Sequence, residues 1–217
     1  MTLYREQLQQ LYCLPEWMWN DWLNDEIFIR TSEHGSAEST ARIRSLFEKA
    51  LADYSYKKVH KLRVNWELSL PSNSAETIRA VFEDAVNLYG LDLNKSGKIW
   101  TLYLNFETQE DSEPDLQTSR IRSIFRRRCY FPTYDMQQAF ADYSAWETDK
   151  AELTKVKARY EQALAKLPDY EAVNLQFKSA QTAMEELADI TKMRTFLSGM
   201  LAEWAGDNFN YIQLFFE

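Results

Sequence analysis

The sequence predicts an all-α fold of repeated helical hairpins, and three observations carry that prediction. Apolar residues recur three and four positions apart along most of the chain, which is the spacing of one face of an α-helix. We identify no convincing alternating β-strand anywhere in the sequence. Only five Gly and five Pro interrupt the 217 residues, so we expect long helices joined by short loops.

The apolar spacing and the loop signals divide the chain into a short first helix and a series of helical pairs. The first helix covers residues 3–13 and ends before Pro15, since proline disfavours helix in the residue before it. By the same reasoning Pro132 and Pro168 each mark the end of a helix. We expect a single domain over residues 1–217, the N-terminal part of a longer array. Its helical pairs cover about 15–54, 57–89, 97–130, 134–167 and 170–217, and the last pair is incomplete.

The first helix of each pair carries an acid beside aromatic rings. The acids lie at positions 26, 67, 107 and 147, at steps of 41, 40 and 40 residues. In the second copy, His60 and Arg63 stand where rings would fall. A unit of about 40 residues with two helices is typical of an α-solenoid. The residues of this motif are Trp19, Trp22, Glu26, Trp66, Glu67, Trp100, Tyr103, Phe106, Glu107, Phe140, Tyr143, Trp146 and Glu147.

The second helices also repeat. Residues 44–51 resemble residues 79–86 and 157–164, and a further copy at 122–126 has Arg in place of Glu. Because both helices of a hairpin have apolar stripes, stacking the hairpins would bury a continuous core. We therefore expect a right-handed α-α superhelix in which the acids pair with arginines of neighbouring helices. Another copy begins at residue 213, which predicts further repeats after Glu217. Small residues would permit close helix approach: Ala50, Ala85 and Ala163.

Composition and missing motifs argue against several classes of function. A net charge of −8 argues against a chain that binds nucleic acid over its whole surface. Cys13 and Cys129 are expected to be buried or half-buried, in a reducing compartment. We expect no membrane association, because no apolar run approaches the roughly 20 residues that span a bilayer.

Chemistry at a catalytic site is not expected either. His34 and His60 have no Cys, Ser or Asp partner at the spacing of a catalytic triad. No nucleotide-binding loop and no Cys/His metal pattern is present in the sequence. We therefore expect a protein that is not an enzyme and that uses no metal and no cofactor.

Two features allow a functional and a structural interpretation. The rings could form a base-stacking platform, although their helical spacing favours a packed core. The basic cluster in the second helix of the third pair could be an exposed docking patch for acidic protein or RNA backbone. It could equally pair with Glu residues of adjacent helices. This cluster consists of Arg120, Arg122, Arg126, Arg127 and Arg128.

These motifs resemble the half-a-tetratricopeptide (HAT) repeat of RNA-processing scaffolds. The first helices follow W-x-x-Y-x-x-F-E, as in residues 100–107, and the second helices follow R-x-hydrophobic-F/Y-E-x-A-L. Ordinary tetratricopeptide repeats have a period of about 34 residues and fit worse. Residues 22–27, 97–107 and 124–136 are similar to the N-terminal HAT region of the squamous cell carcinoma antigen recognised by T cells family, whose members are U4/U6 snRNP recycling factors.

The resemblance implies a non-enzymatic scaffold in pre-mRNA splicing that takes part in U4/U6 snRNP assembly or recycling. It would dock snRNP proteins and ubiquitin-specific proteases in the nucleus, in nucleoplasm and Cajal bodies, and also in the cytoplasm. U6 RNA would be bound only through RNA-recognition motifs, whose signature strings this sequence lacks. A homodimer would form through repeats after Glu217. The alternative is a HAT scaffold of another complex, for mRNA 3′-end cleavage, U1 snRNP or rRNA processing, that contacts RNA directly through its basic strip.

Overall fold

The computed structural model describes residues 2–32, 36–54, 56–110 and 113–186, and no strand occurs in these ranges. The predicted all-α fold is confirmed. His34 and residues 187–217, with most of the predicted fifth pair, lie outside the described residues. The helices are α1 Thr2–Leu11, α2 Glu16–Ser32, α3 Ala37–Asp53, α4 Lys57–Leu68, α5 Ala75–Tyr89, α6 Ser96–Gln109, α7 Pro114–Tyr130, α8 Met136–Trp146 and α9 Lys150–Glu186.

The chain forms two compact units, Met1–Leu88 and Tyr89–Glu217. In the first unit α2 packs against α3 and α4, and α3 packs against α4. Trp19 and Trp22 stack nearly parallel, with ring centroids 5.2 Å apart. The apolar spacing of each helix thus becomes one shared core, whose buried residues are Leu14, Trp19, Trp22, Leu23, Ile43, Leu46, Phe47, Ala50, Val59, Trp66 and Leu70.

Hydrogen bonds from Asp53 and Tyr56 hold the turn that precedes α2. Asp53 Oδ2 accepts from the backbone N–H of Leu14 at 3.0 Å and from the indole Nε1 of Trp19 at 2.9 Å. The hydroxyl of Tyr56 donates to the carbonyl of Leu14 at 3.1 Å. The backbone N–H and carbonyl of the buried Leu14 therefore find partners at the end of α3 and in the α3–α4 connection, as buried backbone groups require.

In the second unit α7 packs against α6, α8 and α9, and α8 packs against α9. The Phe125 ring of α7 lies 5.6 Å from the rings of both Tyr143 and Trp146, measured between centroids. Helix α7 ends at Tyr130, and Phe131 is extended because it precedes Pro132. The residues that α7 buries are Ile121, Ile124, Phe125, Arg128 and Cys129.

The break predicted at Pro168, between pairs 134–167 and 170–217, is wrong. Helix α9 continues through Pro168 from Lys150 to Glu186. A proline inside a helix removes one backbone hydrogen bond. The preceding residues 161–167, Glu-Gln-Ala-Leu-Ala-Lys-Leu, are all strong helix formers. The loss of one bond therefore does not end this helix.

Candidate functional site

Glu67 of α4 is buried, and Arg44 of α3 binds both of its carboxylate oxygens. Arg44 Nε lies 3.0 Å from Oε1, and Nη2 lies 2.8 Å from Oε2. Asn73 Nδ2 donates to Oε2 at 2.7 Å, and the Asn73 Oδ1 accepts from Arg44 Nη2 at 3.0 Å. Two-point binding by a planar guanidinium is strong and directional. Because Arg44 belongs to the preceding pair, this ion pair joins successive hairpins.

Glu147, the residue after α8, repeats this arrangement with Arg122 of α7. Arg122 Nε lies 2.6 Å from Oε2, and Nη2 lies 3.0 Å from Oε1. The Tyr143 hydroxyl donates to Oε2 at 3.1 Å, and the Asp149 N–H donates to Oε1 at 3.0 Å. These hydrogen bonds, with Arg122 the largest cause, lower the pKa of Glu147 to about 2. The carboxylate is therefore charged at neutral pH and unsuited to general acid–base catalysis.

The other two motif acids are also buried. Glu26 Oε1 accepts from Trp22 Nε1 at 3.3 Å and from Arg42 Nη2 of α3 at 3.1 Å. Its arginine comes from the second helix of its own pair. At Glu107, Gln117 Nε2 donates to the backbone carbonyl at 2.9 Å. The prediction that motif acids pair with arginines of neighbouring helices is confirmed for positions 26, 67 and 147.

In the basic cluster of α7, three arginines form ion pairs within the second unit. Besides Arg122, Arg126 pairs with Glu152. Arg128 is buried, and its Nη2 lies 2.8 Å from Asp135 Oδ2. Arg128 Nη1 also lies 3.9 Å from Asp142 Oδ2. The structure thus uses these charges to tie α7 to the elements that follow it.

The other arginines of the cluster are half-buried. The guanidinium carbon of Arg127 lies 5.1 Å from the ring centroid of Trp100, within the range of a cation–π interaction. Arg122 lies 5.8 Å from the ring centroid of Trp146 in the same way. None of the five arginine side chains, Arg120 included, is fully exposed to solvent. A docking role for this cluster stays a prediction.

Asp135 explains the glycine at the start of α6. A Cβ atom on Gly97 would lie 2.8 Å from Asp135 Cγ, closer than a real Cβ contact, and closer still to Oδ2. Arg128 holds that carboxylate in place. The Asp135 side chain can therefore lie against the first turn of α6 because residue 97 has no side chain.

The aromatic rings of the motif serve the core. Three rings, Phe106, Phe140 and Trp146, are half-buried. A base-stacking platform needs accessible ring faces, so this burial favours the packing interpretation. The fully buried rings are Trp19, Trp22, Trp66, Trp100, Tyr103 and Tyr143.

The two cysteines differ in burial. Cys129 is buried, which raises the pKa of its thiol to about 12. Cys13 is exposed, so the prediction of burial is wrong for it. Helix α1 ends at Leu11, so Cys13 lies outside it and no helix face directs its side chain inward. In the part of the chain that the structure describes, no group of His, Cys, Asp and Glu could hold a metal ion.

The same described helices include none that is long and apolar enough to cross a membrane.

Sequence reasoning missed Arg42, Arg44 and Asn73 as partners of the motif acids. A signal existed for Arg44, which opens the second-helix motif as Arg122 does. No comparable signal marks Arg42 or Asn73, because the first lies two positions before that motif and the second lies in a loop. Their roles depend on distances that only the fold defines.

Comparison with known proteins agrees with this geometry. Residues 59–145 match the family model of the PRP39 N-terminal HAT repeat. Residues 59–145 are thus similar to a HAT-repeat region. The chain is 29% identical over 172 residues to the "Spliceosome associated factor 3, U4/U6 recycling protein" of Homo sapiens and to that of Pongo abelii, with 78% of this chain covered. With the Danio rerio protein of the same name it shares 30% identity over 181 residues, or 75% of this chain.

The chain spans about 17% of the length of the mammalian relatives and 18% of the Danio rerio protein.

Proposed function

We propose that this chain belongs to a HAT-repeat protein, a non-enzymatic protein-interaction scaffold in pre-mRNA splicing that acts in U4/U6 snRNP assembly or recycling. The observation that carries the proposal is its similarity, over about three quarters of the chain, to proteins named U4/U6 recycling proteins. The structure supports a scaffold, because the motif acids are bound by arginines or buried and the rings lie mostly in the core. The chemistry-bearing motif residues thus hold the fold together, and partners would meet the other helix faces.

The partners of this scaffold are snRNP proteins and ubiquitin-specific proteases, and its compartment is the nucleus, with nucleoplasm and Cajal bodies as its sites and a further pool in the cytoplasm. U6 RNA would be reached through other domains. Self-association would use repeats that follow Glu217. These assignments come from the family resemblance and are tested together with the scaffold function.

A second candidate is a scaffold of another RNA-processing complex that touches RNA through the basic strip of α7. It is favoured by the match to the PRP39 family model, whose name differs from that of the curated relatives. The ion pairs of Arg122, Arg126 and Arg128 weaken it, since paired arginines neutralise fewer phosphates.

Affinity purification separates the two candidates. The tagged chain is incubated in nuclear extract with and without RNase, and the bound proteins and U1, U4 and U6 RNAs are quantified. We expect snRNP proteins of U4/U6 to co-purify and to remain after RNase treatment. Enrichment of a different RNA-processing complex would favour the second candidate, and capture of neither would refute both.

The docking role of the basic cluster has its own test. Arg120→Gln with Arg127→Gln removes two charges without breaking the ion pairs described above. Lys157→Gln with Arg159→Gln removes the same charge from α9. If the cluster docks a partner, only the first variant loses snRNP proteins. If the cluster contacts RNA, only the first variant shows weaker RNA binding in a gel-shift assay. The RNA affinity of the native chain should also fall about a thousandfold or more between 50 and 200 mM salt where several phosphates are bound.

A further inference from the structure

An open groove of about 430 Å³ lies on the first unit, between α3, α4 and α5. Its volume is within the range of small-ligand and peptide-side-chain sites. One wall comes from α3 and the other from α5, while α4 forms the floor. The groove-lining residues used below are Glu48, Leu51, His60, Arg63, Asp84 and Leu88.

The groove coincides with a departure from the aromatic motif at its first two ring positions. The positions of His60 and Arg63 hold rings in the other three copies of the motif. Those rings are buried in all cases but one, Phe140, which is half-buried. Replacing two rings by smaller or polar side chains leaves space that packing would fill, and local departures from a packing rule are expected at functional sites. The corresponding rings are Trp19 and Trp22, Trp100 and Tyr103, and Phe140 and Tyr143.

The guanidinium of Arg63, in the floor of the groove, has few polar partners. Its side chain is only 16% exposed, and its Nη1 lies 4.0 Å from Asp84 Oδ2, at the limit of an ion pair. Its Nε is buried without a hydrogen-bond acceptor among the described residues. Leaving a buried donor unpaired costs about 1–3 kcal/mol, so native proteins retain few such groups without a purpose. Because Nε itself has no accessible surface, a bound acceptor would meet this guanidinium at its terminal Nη atoms.

The walls indicate which ligand carries that acceptor. Glu48 on α3 is exposed, and the Asp84 side chain on α5 is 59% exposed. Each wall also contributes a leucine, Leu51 or Leu88. Two rim carboxylates repel a ligand carboxylate and attract a cation, as does the net charge of −8. The acceptor for Arg63 should therefore be a neutral carbonyl, and the ligand should carry positive charge on an aliphatic stem.

We propose that this groove binds an extended basic peptide segment of a partner protein. A backbone carbonyl of the peptide accepts from the terminal Nη atoms of Arg63, and a Lys or Arg side chain lies between Glu48 and Asp84 with its stem against the two leucines. The inference rests on the scaffold function above and names one docking site for it.

A random heptapeptide phage library, selected on the immobilised chain, tests the proposal. We expect enrichment of peptides with Lys or Arg, and synthetic fluorescent copies are then titrated by anisotropy. Glu48→Gln with Asp84→Asn should weaken their binding by about tenfold or more, equivalent to 1.4 kcal/mol. The control, Asp21→Asn with Glu38→Gln, removes two exposed charges elsewhere in the same unit and should leave affinity unchanged.

A second variant restores the motif. His60→Trp with Arg63→Tyr should fill the groove and keep the helical circular dichroism and melting temperature, but lose the peptide. Peptides that lack Lys and Arg, or that bind this filled variant as well as the native chain, would overturn the proposal. So would a selection that enriches nothing. Capture of snRNP proteins is measured in a separate experiment. If the chain binds the peptides but captures no snRNP proteins, that result counts against the proposed function alone.

Discussion

At the Arg44–Glu67 pair, the carboxylate is far more buried than the guanidinium. The Glu67 side chain is 1% exposed and that of Arg44 is 37% exposed. The cost of removing charge from water therefore falls mainly on Glu67, and Arg44 and Asn73 compensate it through hydrogen bonds. A buried ion pair of this kind adds little net stability over apolar residues, but breaking it exposes the full cost of the remaining charge.

Arg44→Met should lower the free energy of unfolding by roughly 3 kcal/mol, because it strands the Glu67 carboxylate. Arg44→Met with Glu67→Met should recover most of that loss, since no buried charge then remains. Urea unfolding measures both. The control is Lys157→Met, which breaks the exposed Lys157–Glu161 pair and should cost less than about 0.5 kcal/mol. An Arg44 variant as mild as this control would contradict the argument.

His60 gives the first unit a pH dependence. Burial, with Arg63 nearby, lowers the pKa of His60 from 6.5 to about 4. The unfolded state therefore binds a proton more readily than the folded state between these values. The contribution of His60 to the free energy of unfolding should be constant above pH 6.5 and should fall by roughly 3 kcal/mol as the pH drops from 6.5 to 4. Below pH 4 this contribution should not change further.

Urea midpoints between pH 4 and pH 7.5 measure this effect, with His60→Phe as the control. The variant places a ring where the motif elsewhere has one, and it should remove the change between pH 6.5 and 4. If the urea midpoint of the variant depends on pH as steeply as that of the wild type, the effect belongs to other groups. The Glu147 carboxylate is separable, because its pKa is lowered from 4.5 to about 2, and the stability it contributes is lost only below pH 4.5.

At the scale of the element, α9 carries a defect in its interior. Pro168 removes a backbone donor inside a helix of 37 residues, and proline is about 3 kcal/mol less favourable than alanine in a helix interior. Pro168→Ala should therefore raise the unfolding free energy by up to about 3 kcal/mol, read from thermal and urea unfolding. Ala165→Gly is the opposite control and should lower it by about 1 kcal/mol. A destabilised alanine variant would mean that the packing around α9 depends on the proline.

At the scale of the whole molecule, some features of the fold could be predicted from the sequence and others could not. The helices and the repeat were predictable, because apolar periodicity reports which face of each helix is buried. The pairing of acids with arginines was predictable as a rule for positions 67 and 147. It was not predictable that Arg42 rather than Arg44 would serve Glu26, since that choice depends on three-dimensional distance. The continuous helix through Pro168 was not predicted, because the helix formers before it outweigh the one lost hydrogen bond. The exposure of Cys13 was not predicted, because it depends on where α1 ends.

Burial is also unevenly distributed along the described chain, and this predicts where it opens first. None of residues 4–11 in α1 is buried, and α1 is tied down by ion pairs such as Arg5–Asp25 at 2.6 Å. In residues 164–180 of α9 only Asn174 and Ala180 are buried. By contrast α7 packs against three other helices of its unit. Isolated helices are marginal in water, so protection should follow tertiary packing.

Hydrogen exchange measured by mass spectrometry, corrected for the intrinsic rate of each peptide, tests this expectation. Peptides from residues 4–11 and 164–180 should exchange well before peptides from residues 114–130, because low burial lowers the free energy of local opening. Arg122→Met should speed exchange in α7 and α8 and leave α1 unchanged, since Arg122 binds Glu147 within the second unit. Equal protection of α1 and α7 would show that stability does not track burial within these helices.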